Sequence, residues 1–459
     1  MKKIFTISGI VLLITCLSRC HKADLLPAER YDDRLSAGLA TNFDASSHAF
    51  THAIDGLSAR DQRVHDLGDQ TFESKFVAAP APVFGGLGPI FNNVSCINCH
   101  RNDGGGLPTT GSATSGLLMR ISQAGTDAYG GALAVSGYGT QVQDLAILGA
   151  KPEAHVNISY TEVPFTYPDG VVTSLRHPVY ELQNLYTPIS VPYMISPRLA
   201  PRLVGLGLLE KVPENTILAF VDDGDKNDDG ITGKANYVYD AYANQIVIGR
   251  FGLKANAPSL LMQIAMAYQQ DMGVTSYPTS QESAFGQSQY QSVTDIGSTE
   301  LADSMLNYVT FYVKTLAVPA RRNVTDPDVK AGSILFNQVN CTACHRATIY
   351  TGTESSTPQL SGQQIHPYTD LLLHDMGDGL ADDRPDFRAN GKEWRTQPLW
   401  GLGLMQKTTG TAYYLHDGRA RTIEEAILWH DGEAKKSRDA FTQLTNQQRD
   451  QLMKFLNSL

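Results

Sequence analysis

Beyond its N-terminal leader the chain has no apolar run long enough to cross a bilayer, which excludes a membrane-spanning helix in the body of the protein. Positive charge is also short. Lysine and arginine number 37 against 47 acidic residues, for a formal net charge of -10, a balance that argues against a nucleic-acid partner. Tryptophan is rare, and Trp394, Trp400 and Trp429 all lie in the C-terminal part. Cysteine is scarce too. Of six, Cys16 and Cys20 end the leader and the other four fall in two short stretches. A disulfide-stapled exported scaffold scatters its cysteines, so that class is excluded.

At 459 residues the chain is too long for one simple core, and two domains are expected. With 40 glycines and 22 prolines it reads as folded and loop-rich. The opening "MKKIFTISGIVLLITCLSRC" places two lysines before an apolar run, the build of a secretory signal over residues 1–20. Cys16 and Cys20 stand where a bacterial lipoprotein is acylated. Thr15 precedes Cys16 and Arg19 precedes Cys20, off the usual pattern, so a lipid anchor and simple export to the periplasm both stand as expectations.

The four remaining cysteines carry the strongest signal. "FNNVSCINCHR" (91–101) and "FNQVNCTACHR" (336–346) share F-N-x-V-x-C-x-x-C-H-R. C-x-x-C-H is the attachment site of c-type haem. Two thiols on one helical turn can add to the two vinyl groups of one porphyrin, and the adjacent histidine can then coordinate the iron. Cys96, Cys99 and His100 would hold one haem; Cys341, Cys344 and His345 would hold a second. A zinc knuckle accepts these ligand types but does not require histidine directly after the second cysteine twice.

The repeats divide the chain. After a leader at 21–54, residues 55–325 are expected to form an N-terminal haem domain with insertions, and 326–459 a C-terminal cytochrome-c-like domain. "DPDVKAGSILFNQV" reads as a helix entering the second motif, and "TNQQRDQLMKFLNSL" as a closing helix with Leu452, Phe455 and Leu456 on one face. "HVNISYTEVPFTY" alternates like hairpin material. The expected fold is mainly α: two cytochrome-c-like domains with long loops and a few short β-hairpins in the first.

What fills each iron's sixth position separates an electron carrier from an enzyme. In "RTIEEAILWHDGEA", Thr422 and Glu425 form a capping-box pattern, and Ile423, Ala426, Ile427 and His430 fall on one face of the helix it starts. With a haem in the domain, His430 is the ligand of choice. His416 is its rival, and His366, His374 and Met376 are further alternatives. For the first haem, Met119 and His177 could reach the iron, but nothing in their spacing demands it. Separately, "DGDKNDDGITG" places Asp225, Asn227 and Asp229 at alternate positions before Gly230, like the first half of a calcium loop; its twelfth position is Asn236 rather than glutamate.

Together "GLGPIFNNVSCINCHRNDGGG", "GRFGLKANAPSL", "PYTDLLLHDMGDGLAD", "EWRTQPLWGLGL" and "YLHDGRARTIEEAILWHDGEA" resemble the bacterial di-haem oxidoreductase family, described as peroxidases or thiol oxidoreductases. That family is similar to the di-haem cytochrome c peroxidases and to the di-haem enzyme that matures a tryptophan-derived quinone. The resemblance implies that electrons enter at the C-terminal haem and that the N-terminal haem reacts with peroxide. It also places His430 where those peroxidases carry the methionine ligand of the C-terminal haem. Two departures stand out: no histidine follows the first motif in "RNDGGGLPTTGSATSGLLM", and no tryptophan lies in the N-terminal half.

The sequence thus predicts an exported di-haem oxidoreductase, with a bis-histidine second haem and a first haem that meets peroxide or another oxidisable substrate. A redox protein would be its electron partner. Glu210, flanked by apolar residues in "GLGLLEKVP", is the candidate distal acid–base group, and Arg198 in "ISPRLAP" the candidate stabiliser of charge on a peroxide oxygen. The alternatives are a di-haem electron carrier and an oxidase acting on a thiol or a partner protein. The location implied is the periplasm, or the outer membrane if lipidated.

Overall fold

In the computed structural model, which describes residues 32–288, 290, 299–353 and 356–459, each C-x-x-C-H motif lies downstream of a helix that crosses a second helix at a glycine. The predicted export signal, with Cys16 and Cys20, lies outside the described residues.

Helix α1 (Ala59–Glu73) leads to the first motif, and α2 (Leu260–Met272) and α3 (Asp303–Lys314) pack near it. Helix α4 (Pro327–Gln338) leads to the second motif; α5 (Ile423–Leu428) and α6 (Asn446–Ser458) follow. Local chemistry starts these helices. Ser58, Ser259, Asp326, Thr422 and Thr445 each accept a first-turn backbone N–H. Pro327 at the first position of α4 loses no intrahelical bond there.

The sequence repeat is a repeat in space. α1 crosses α3 at Gly68, where a Cβ would stand 2.2 Å from the Tyr308 carbonyl oxygen. α4 crosses α6 at Gly332, where a Cβ would stand 2.0 Å from the Gln451 carbonyl oxygen. Beside each crossing an aromatic pair fills the gap: Phe72 with Tyr312 at 5.4 Å and Phe336 with Phe455 at 5.3 Å between ring centroids.

The fold is not mainly α. The chain is 29% helical and 19% strand, with several small sheets. His155–Thr166 and Val172–Gln183 pair antiparallel along twelve residues each. Leu117–Ser122 pairs with Met194–Leu199, and many two- and three-residue ladders close the loops. Helical periodicity is conspicuous around the motifs, whereas short ladders between segments distant in sequence have no local period to betray them.

The buried clusters draw on distant segments. One joins Phe50, Leu203, Val318, Ile349, Leu371 and Trp400. Another seats Tyr167, from the turn of the long hairpin, among Val329, Phe336, Leu452 and Phe455. Arg34–Leu459 is accordingly one unit. Among the described residues no helix is long and apolar enough to cross a membrane.

Candidate functional site

Each motif opens into a cavity. The first, of about 580 Å³, is lined by Cys96, Cys99 and His100, with the thiols carried on the single helical turn Cys96–Cys99. His100 Nδ1 lies 2.8 Å from the Pro201 carbonyl oxygen. A carbonyl only accepts, so Nδ1 carries the hydrogen and Nε2 keeps its lone pair. Burial lowers the pKa of this histidine, which favours the neutral, ligating form.

The second cavity, of about 280 Å³, is lined by Cys341, Cys344 and His345. His345 repeats the arrangement, with Nδ1 2.9 Å from the Tyr368 carbonyl oxygen and its pKa pushed down to about 4 by burial. The rings of Phe72 and Phe336 stand 6.2 Å from His100 and His345 respectively.

A further histidine shares this second cavity. Ile423, Ala426, Ile427 and His430 all line it. His430 lies just beyond α5, yet its Nδ1 sits 2.7 Å from the Ala426 carbonyl oxygen, so it keeps the helical repeat and leaves Nε2 free. Thr422 caps α5 by accepting from the Glu425 N–H at 3.0 Å. The reciprocal half of the predicted capping box is absent. Glu425 instead accepts from the Arg421 and Arg176 backbone N–H groups at 2.8 and 2.6 Å, because the long hairpin lies against α5 and supplies competing donors. Tyr167 donates to Glu424 at 2.7 Å, and Arg449 reaches Asp169 in the hairpin turn at 2.5 Å. A hairpin from the first half of the chain thereby sets the place of His430.

The rivals fare differently. His374 lines the second cavity, but its two ring nitrogens face carboxylates of Glu433 and Asp370 at 2.7 and 2.9 Å. Donating through both, it has no lone pair for a metal. His416 lies flat on Trp394, with ring centroids 3.7 Å apart and 12° between planes. Met376 lines the cavity, whereas His366 does not. Neither Met119, buried in a separate apolar cluster, nor His177, exposed on the hairpin, lines the first cavity. Among its described lining residues His100 is the only histidine.

Arg198 lines the first cavity, held by Ser196 at 2.7 Å and by Asp382 and Asp386 at 3.5 Å each. Glu210 does not line it. Its Oε1 accepts from the Leu260 N–H at 2.9 Å, tying off the start of α2. Glu210→Ala is therefore expected to cost about 1 kcal/mol of stability, typical of a lost helix-start acceptor, with no loss of peroxide reactivity; unfolding and stopped-flow measurements on one preparation check both. The alternate oxygens of the acidic loop serve as turn acceptors: Asp225 for the Asp229 N–H at 2.9 Å, Asn227 for the same N–H at 3.0 Å, and Asp229 for the Ile231 N–H at 2.8 Å. Asn236 at the twelfth position is buried and donates to the Lys254 and Asp386 carbonyl oxygens.

Sequence reasoning passed over Arg395 and Asp271 and noted Trp400 only as one of three tryptophans. Arg395 lines both cavities and is 6% exposed, with Nη1 buried and unpartnered among the described residues. The buried Trp400 Nε1, beside the second cavity, is likewise unpartnered. Asp271 in the first cavity has its pKa raised by burial, against the opposing pull of Arg120. An acid near a helix end and an arginine in a three-residue strand carry no local signature, so no signal in the sequence marks them.

The family described as "Di-haem oxidoreductase, putative peroxidase" matches residues 31–459. The chain belongs to this family. Two haems follow as the cofactors of a di-haem oxidoreductase, and the residues present fit them. Each cavity offers a thiol pair and a histidine with Nε2 free, and unpartnered buried donors at Arg395 and Trp400 await an acceptor. Curated proteins show no match. A solved structure titled "Kuenenia stuttgartiensis Hydrazine Synthase Pressurized with 20 bar Xenon" is 18% identical over 36% of this chain and 57% of that one, at a TM-score of 0.25. The chain spans little more than half of that structure's length, and so slight a likeness carries no argument.

Proposed function

We propose that this di-haem oxidoreductase is an exported peroxidase-type enzyme, with c-type haems attached through Cys96 and Cys99 in the first cavity and Cys341 and Cys344 in the second. One observation carries the reading: the second cavity presents two histidines with Nε2 free, whereas the described lining of the first presents one. Bound there, the haems supply paired one-electron chemistry, with the second site as the electron-entry side and the first as the side that meets peroxide or another oxidisable substrate.

The chain's own residues shape both sides. His345 and His430 would hold the second iron as a bis-histidine pair, which would set a lower potential than histidine with methionine. His100 would hold the first. Around it Arg198 offers positive charge toward a peroxide oxygen, and Asp271, whose carboxyl burial drives toward the protonated form, is the residue suited to hold a proton. Between the cavities, Trp394 lines the second and touches Arg198, which lines the first. Lys254 Nζ and the Arg198 guanidinium carbon stand 4.6 and 4.9 Å from the Trp394 ring centroid. Two cations so placed oppose withdrawal of an electron from the indole, so the ring serves as a contact across the wall rather than as a radical.

The leader over residues 1–20 supports export, with the periplasm or a lipid anchor at Cys16 or Cys20 as destination and a redox protein as electron partner. The burial that pushes Cys96 and Cys341 up to about 12 speaks against thiol redox chemistry, which needs a thiolate. Electron paramagnetic resonance of the haem-loaded, oxidised protein tests the reading. The expected spectrum holds one high-spin ferric signal, consumed by peroxide, beside one low-spin bis-histidine signal. Two low-spin signals indifferent to peroxide, before and after half-reduction, would make the protein an electron carrier instead.

A further inference from the structure

The fold pairs most of its buried cations. Lys254 reaches Asp382 at 2.7 Å, Arg384 reaches Asp386 at 3.0 Å, and Arg419 reaches Asp417 at 2.8 Å. Buried Arg395 breaks this rule, and the partly buried Arg202 lines the same two cavities, also without a carboxylate partner among the described residues.

Arg395 ends the strand Glu393–Arg395, which pairs with Leu373–Asp375 and holds the side chain inside. Its Nε donates to the Gly252 carbonyl oxygen at 3.0 Å and Nη2 to Gln397 Oε1 at 2.7 Å. Nη1 is buried without a partner, and among the described residues no carboxylate lies within ion-pair distance of this guanidinium. Arg202 is tied to the same wall through the Pro398 carbonyl oxygen at 2.9 Å and Met405 Sδ at 2.7 Å, again with no carboxylate partner among the described residues. Burying a guanidinium without a counter-charge is costly, so Arg395 held this way, with a second unpaired arginine beside it on the same wall, implies an anion arriving from outside the chain.

Resting on the di-haem reading above, we infer that Arg395, assisted by Arg202, binds propionate carboxylates of the haems on both sides of the wall and so joins the two haems electrostatically. The chemistry matches. A haem carries two carboxylates at one edge, and a guanidinium offers several N–H donors in a planar fork suited to carboxylate oxygens. A buried cation near both haems favours the reduced, more negative state of each, so removing it lowers both potentials.

The test uses the full haem-loaded chain. Mass spectrometry first establishes two covalent haems, and a count below two would sink the di-haem reading separately from this inference. Spectroelectrochemical titration then compares the unaltered protein with Arg395→Gln, Arg395→Lys and Arg202→Gln. The inference expects Arg395→Gln to shift both midpoint potentials downward, Arg395→Lys to restore most of the shift, and Arg202→Gln to shift both in the same direction by less. With loading intact, a shift at one haem alone, or at neither, overturns it. So does a shift produced in the unaltered protein by added acetate, which would show the arginines waiting for a free carboxylate. If Arg395→Gln fails to fold, the Arg395→Lys and Arg202→Gln titrations decide on the same criterion.

Discussion

His430→Ala is expected to abolish the low-spin signal of the second haem, replace it with a high-spin one, and leave the signal of the first haem unchanged. His430 and His345 line one cavity, and each ring has its Nδ1 against a backbone carbonyl, which leaves Nε2 as the atom available to coordinate. Of the other histidines lining that cavity, His374 is engaged at both nitrogens and His416 is stacked on Trp394. Neither can take over. His416→Ala should therefore leave the low-spin signal in place, whereas His430→Met should retain a low-spin iron at higher potential. Paramagnetic resonance and a potential titration on the same samples distinguish these outcomes, and a low-spin signal that survives His430→Ala would remove His430 as the ligand.

Gly332→Val is expected to destabilise the protein by roughly 3 kcal/mol or more, at the upper end of overpacking costs. A Cβ at residue 332 would stand 2.0 Å from the Gln451 carbonyl oxygen and 2.7 Å from the Phe455 Cβ. Neither neighbour is a flexible side-chain end: one is backbone of α6 and the other anchors Phe455 beside Phe336. Relief requires α4 and α6 to move apart, and α4 delivers the chain to Cys341. Ile334→Ala on the same helix, at a position 61% exposed, should stay within about 0.5 kcal/mol. Denaturant unfolding followed by circular dichroism compares the two, and an equal midpoint for both variants would contradict the crossing.

Some of this was legible in the one-dimensional pattern and some was not, for identifiable reasons. The paired Cys-x-x-Cys-His stretches could be read because the pattern is local, and each lines one cavity. The face Ile423, Ala426, Ile427 and His430 could be read because α-helical period is local, and all four line the second cavity. Glu210 misled, since apolar neighbours describe a helix start as well as they describe a desolvated acid, and its carboxylate serves the Leu260 N–H. The expectation of a mainly α fold failed because short ladders such as Thr41–Asn42 with Val318–Pro319 join segments far apart in sequence.

By itself, the sequence determined what lies within a helical turn: the thiol pairs, the histidine beside each, and the Thr422 cap that starts α5. These depend on bond geometry and on steps of three or four residues. The tertiary structure alone decided which carbonyl locks each imidazole: Pro201 for His100 and Tyr368 for His345, neither predictable from spacing. It also brought the hairpin turn at Tyr167 and Asp169 against Glu424 and Arg449, and set two arginines without counter-ions on the wall between the cavities. Such contacts are chosen by burial and by pairing of charge across the folded chain, and these are properties of the whole packing rather than of any segment.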